Sequence, residues 1–218
     1  MTRRVLRRDE EWRGEVLLDA DAFVPLGRRL SLAPGCRVSA APGTSPVILV
    51  EGELVARGAP GAEVVLAVPV ETAGGALDMS RCACSGRPIA VNAGHGRHRL
   101  EEVTFLAAPT GLAVHHGEAA LRGVSARGCG TAAFVTAGGR LDWDGGSVED
   151  GELGVHAAHG TARLSGLRLT RLREGLRLER GAAEARGLTA RGLAGPAVGV
   201  HGPAFALLDG VDAGAGAA

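Results

Sequence analysis

The stretch EAALRGVSARG, Glu118 to Gly128, places Ala119, Leu121, Val124 and Ala126 on one side and Glu118, Arg122, Ser125 and Arg127 on the other. That is the period of two expected of a strand with one buried face, not the 3.6 of a helix. A strand with a single apolar face needs neighbours, so the next question is whether the same pattern recurs.

It recurs about every 21 residues. The glycine that precedes each apolar run stands at 96, 117, 139, 160, 181 and 202. Four residues later come Leu100, Leu121, Trp143, Leu164 and Ala185, and seven later Val103, Val124, Gly146, Leu167 and Leu188. Nine later come Phe105, Ala126, Val148, Leu169 and Ala190. A further glycine holds register at 123, 145, 166 and 187. Units of this length, built of short strands and glycine turns with no helix start, match one rung of a parallel β-helix. A leucine-rich repeat shares the length, but its L-x-x-L-x-L-x-x-N framework is absent. The expectation is an all-β chain, a single-stranded right-handed parallel β-helix (solenoid) of about eight 21–22-residue rungs, with rungs ~4.8 Å apart. Residues 1–22 read as an N-terminal cap and 23–218 as the solenoid. Residues 70–88 (VETAGGALDMSRCACSGRP) keep the rung length but lose the pattern, and read as an irregular rung with a loop.

The earlier segments VPLGRRLSLAPGCRV (Val24 to Val38) and VEGELVARG (Val50 to Gly58) add a resemblance. The V-P-x-G…L…A-P-G-x-x-V run followed by V-E-G-x-L-x-A-x-G looks like the opening rungs of the right-handed parallel β-helix, pectate-lyase-like proteins. With the later repeat it covers roughly residues 15 to 210. It implies the architecture and leaves function open, because that fold carries lyases, hydrolases, epimerases, adhesins and scaffolds alike.

One motif invites a catalytic reading. Gly94-His95-Gly96 resembles the histidine loop of polygalacturonase-type hydrolases. That pattern also needs N-T-D, an adjacent Asp-Asp pair and R-I-K, and none of these occurs. The position before the column glycine holds His95, His116, Gly138, His159, Arg180 and His201, so His-Gly is a repeating turn. Histidine tolerates turn conformations and donates to carbonyls. The alternative is a transition metal shared by His95 and His116, about 5 Å apart by the rung spacing, with His98 and His115 nearby.

The 24 basic and 24 acidic residues balance, which speaks against nucleic acid or an anionic membrane as partner. The outward columns alternate in sign: Arg97, Glu118, Arg140 in one, and Glu101, Arg122, Asp144, Ser165, Arg186 in another. The balance breaks in RLDWDGGSVEDGEL (Arg140 to Leu153). With Trp143 inward, Asp142 and Asp144 share the outer face, with Arg122 and Arg163 as lateral neighbours. Paired carboxylates there serve as acid and base or hold calcium in a glycosidase or lyase. A solvated strand whose acids pair with arginines is the plainer explanation. If the chain is an enzyme, the candidates are Asp142, Asp144, Arg122 and Arg163.

Cys82-Ala83-Cys84 could ligate a soft metal, but no second pair completes a set, and free thiols are expected with no cofactor. The final segment, Pro196 to Ala218, carries only Asp209 and Asp212 as formal side-chain charges. A thinly capped apolar end suggests a protein partner or self-association. The opening MTRRVLRRDEEW has no apolar stretch behind its arginines, so a cytoplasmic location is expected. The functional expectation is a non-catalytic scaffold or interaction module, self-associating through its C-terminal rung. The alternative is a carbohydrate-active or carbohydrate-binding protein, with a polysaccharide as partner.

Overall fold

In the computed structural model, which describes residues 3–214, the alternating pattern closes into a tube of three sheets. The first sheet runs from Arg3–Val5 to Val198–His201, the second from Glu10–Trp12 to Phe205–Asp209, and the third from Glu15–Leu18 to Asp212–Ala213. All their pairings are parallel, because each turn of the chain comes back over the one before it in the same direction. The result is a parallel β-solenoid of about 10 turns, with no helix among the described residues. No helix of the described residues is long and apolar enough to cross a membrane.

Register decides what fills the tube. Leu121 pairs with Trp143 and Trp143 with Leu164. The same inward column descends through Leu100, Met79, Ala56 and Leu32 to Trp12, and rises through Ala185 to Leu208. Trp143 and Phe105 are at most 1% exposed, so both of these rings are core. Strands lengthen in the second half: Arg140–Ala158 is continuous around two corners and contributes to all three sheets.

Three expectations change. The expected cap is itself the first turn, since Arg3–Val5, Glu10–Trp12 and Glu15–Leu18 each pair with the turn above; Met1 and Thr2 lie outside the described residues. This turn accounts for part of the difference between about 10 turns and eight. The early turns also depart from the 21-residue repeat, since Val38 pairs with Leu66 and Leu30 with Leu54 at wider spacing. Residues 70–88, expected as an irregular rung with a loop, carry three strands in register: Val70–Thr72, Ala76–Ser80 and Cys82–Cys84 pair on both sides. Their inward positions are Val70, Thr72, Leu77, Met79, Cys82 and Cys84, all buried. Threonine, methionine and cysteine fill the tube as leucine does elsewhere, which hides the repeat from a search for aliphatic columns.

Between the second and third sheets the chain turns through a left-handed residue in every middle turn. Arg81, Glu102, Gly123, Gly145, Gly166 and Gly187 hold φ between 49 and 65°. At Gly145 an added Cβ would meet nothing within 4 Å, so the glycine serves the dihedral alone. At Gly146, with φ 104°, the Cβ would lie 1.9 Å from the Val124 carbonyl oxygen. Gly145→Ala should therefore cost about 1 kcal/mol, whereas Gly146→Ala should cost about 3 kcal/mol or more. Urea melts of the two variants check this; equal losses would show that close stacking is not what constrains the corner.

Candidate functional site

The outer surface of the second sheet is where the expected site residues meet. Strand 140–144 places Asp142 and Asp144 outward on either side of buried Trp143. Arg122 is the register partner of Asp144, and Arg163 that of Asp142. All four line one shallow groove of about 670 Å3, together with Arg99, Glu101, Glu184 and Arg186. The floor opens at Ala120, which stands between Arg99 and Asp142 in the central outward column. A small side chain there, flanked by long ones a turn below and above, makes a concavity without any loop to build it. Ala120 was the sequence signal for the groove: a small residue between the charged Asp78 and Arg99 below and Asp142, Arg163 and Glu184 above.

Charges in the groove are largely spoken for. Asp142 pairs with Arg140 on its own strand at 3.3 Å, and Arg163 turns to Glu184 at 3.4 Å. Asp144 accepts a 2.6 Å hydrogen bond from the Ser165 hydroxyl. Arg99 bridges to Glu101 at 3.2 Å, and Arg186 to Glu184 at 2.6 Å. Among the described residues, Arg122 alone of the groove arginines has no acid within 4 Å, although Glu101 and Asp144 are its register neighbours. Register thus brought the expected residues side by side, but it did not choose the partner: Asp142 pairs along its strand, not across to Arg163. The groove has no aromatic wall. Trp143 and Phe105 lie inside the tube, and the outward strip of His115, Phe134 and His156 belongs to the first sheet.

The same side-by-side logic operates along the whole exterior. Arg57 to Asp78, Arg81 to Glu102, Arg97 to Glu118 and Arg191 to Asp212 are all ion pairs between successive turns. Arg171 grips Asp150 with two bonds of 2.6 and 3.0 Å, which holds that carboxyl below its usual range. Being exposed, such pairs add little stability one by one. Their effect is to cancel the like-on-like repulsion that parallel stacking would otherwise impose.

The histidine column behaves as a turn element. His116 and His159 have φ of 58 and 60°, the left-handed conformation shared at the equivalent turn by Gly138 and Arg180. The next residue must be small: a Cβ on Gly117 would lie 2.1 Å from the Gly94 carbonyl oxygen. His95 and His116 stack with ring centroids 4.9 Å apart and planes 9° from parallel. Stacked rings point their lone pairs side by side, whereas a shared metal needs them to converge within about 2.1 Å. Among the described residues no group of three or more His, Cys, Asp or Glu is placed to hold a metal.

His98 is not beside them but inside the tube, paired in register with Leu77 and Ala119 and 3% exposed. Its Nε2 donates to the Gly94 carbonyl at 3.1 Å, while Nδ1 has no partner. Burial pushes its pKa below the ordinary histidine value. The folded state therefore resists a proton that the unfolded chain accepts. That stability is intact above about pH 6.5 and is lost as pH falls below it. His98→Leu should flatten the fall in melting temperature between about pH 6.5 and 5; an unchanged profile would place the proton uptake elsewhere.

All four cysteines are free and buried. Cys82 donates to the carbonyls of Ala56 and Ser80, at 3.4 and 3.3 Å. Burial pushes its pKa up to about 12 and raises Cys84 well above the usual thiol range. A soft metal binds thiolate, so these two are poor ligands where they stand. In native protein at pH 8, a thiol reagent should label none of the four, and all four after denaturation; prompt native labelling of Cys82 would contradict the burial.

The two ends of the tube differ. At the first turn Arg4, Glu10 and Trp12 occupy inward register positions, over Ala22, Leu30 and Leu32. Arg4 bridges to Glu10 at 3.0 Å and lies 5.0 Å over the Trp12 ring, whose Nε1 donates to Glu10 at 3.0 Å. This cluster closes the mouth over buried Leu6. At the last described turn Val200, Phe205, Leu207 and Leu208 are 45 to 67% exposed. Residues 215–218, the tail of the segment expected to form an apolar end, lie outside the described residues.

No protein-family model matches the chain, and neither a curated protein nor a solved structure matches it.

Proposed function

We propose that this chain is a non-catalytic β-solenoid, a scaffold or protein-interaction module that works in the cytoplasm and associates through its last turn. The observation that carries the reading is the state of the acidic pair. Asp142 and Asp144 are each engaged by a neighbour in the sheet, Arg140 and Ser165, and face a shallow strand surface instead of a loop-walled cleft. Asp142 Oδ1 is left without a hydrogen-bond partner, but an acid–base pair also needs a cleft that holds the substrate against it. The apolar last turn supports the interaction role.

A second reading has its own observation. The groove collects Arg122, Arg163, Asp142 and Asp144 in one concavity, with Arg122 unpaired. On this reading the chain belongs with the right-handed, pectate-lyase-like β-helices, as a carbohydrate-active or carbohydrate-binding protein. The shortage of outward aromatics over the groove weighs against it.

The two part in one experiment. Wild type and an Asp142→Asn/Asp144→Asn variant are assayed for binding and cleavage of neutral and acidic polysaccharides, with and without calcium. The module reading expects neither activity in either protein. Cleavage by wild type that drops more than about 100-fold in the variant would replace it with the carbohydrate reading.

A further inference from the structure

The last turn is a template as well as an apolar patch. Among the described residues, Val198–His201, Phe205–Asp209 and Asp212–Ala213 are each hydrogen-bonded to a strand on one side only. Their other edges present backbone donors and acceptors along all three sides of the tube, around exposed Val200 and Leu208. Of the side chains on these strands, only His201, Asp209 and Asp212 are titratable, and Asp212 is already neutralised by Arg191 at 2.6 Å.

We propose that this end pairs with the same end of a second copy, tail to tail about a two-fold axis. The inference rests on the interaction-module reading and names its partner. The physical case has three parts. A partner must offer three edges at the right distances around one apolar centre, and an identical end does so by construction. A two-fold axis across the tube reverses the sense in which the chain circulates. All three edges therefore meet antiparallel: one sheet meets itself, and the other two meet each other. Head-to-tail stacking is opposed by the first turn. It would press the Arg4–Glu10 pair onto Val198 and Ala206, the last residues of their own columns, and so take two charges out of water without new partners. Inward charges at one end and apolar residues at the other make a closed pair, not a fibre.

The full 218-residue chain provides the test. Light scattering over a wide concentration series should show a doubling of mass, abolished by Leu207→Asp with circular dichroism unchanged. Phe205→Ser, outward on the same strand, should weaken the pair without touching the interior. The native thiols are buried, so single cysteines introduced as Arg8→Cys or Arg173→Cys can carry spin labels alone. Tail-to-tail pairing puts the Arg173→Cys labels of two copies within about 40 Å of each other. It puts the Arg8→Cys labels roughly 80 Å apart or more, given ~4.8 Å per turn. A strict monomer at every concentration overturns the pair and leaves the module reading standing. A dimer with a short distance between an Arg8→Cys label on one copy and an Arg173→Cys label on the other overturns the orientation. Polysaccharide cleavage, by contrast, sinks the module reading without bearing on the pair.

Discussion

The parallel backbone ladder between one turn and the next governs everything else. Because chain direction is the same in every turn, residue i lies over residue i+21 through most of the tube, and side chains stack on their equivalents. Inside, this lets a chain with 3% aromatic residues build a continuous core from leucine, valine and alanine. Outside, the same geometry would stack charge on like charge. The alternation of arginine with aspartate or glutamate is the answer to that constraint, so a net charge of zero follows from local pairing.

Much of this was legible in the chain. The columns of Leu100, Leu121, Trp143 and Leu164 announce one stack, and the structure builds it. What escaped notice did so for physical reasons. Arg4 and Glu10 occupy inward positions where the pattern demands apolar residues, which is why the first turn reads as a cap. Thr72, Met79, Cys82 and Cys84 are as buried as any leucine but break an aliphatic search. At the groove, register predicted that Asp142 would stand beside Arg163. It could not predict that Arg140 is the nearer partner, since rotamers of long side chains are set by all neighbours together.

The sides of the solenoid and its ends serve different purposes. A stacked side wall satisfies most of its own backbone and charges, and so has little left to recruit a ligand with; the concavity over Ala120 is a departure from this. The ends are where hydrogen-bonding capacity and apolar surface remain. A repeat architecture always has two such places, and this chain treats them unequally.

The Arg4–Glu10–Trp12 plug has a bearing on how the molecule is made. It is assembled from residues that leave the ribosome before most of the tube exists, and each later turn needs only the turn beneath it as a mould. Loop closure is never longer than about one repeat, so its entropic cost stays small throughout. A coil whose turns each touch only their neighbours can start at its amino-terminal mouth and extend turn by turn as the polypeptide emerges.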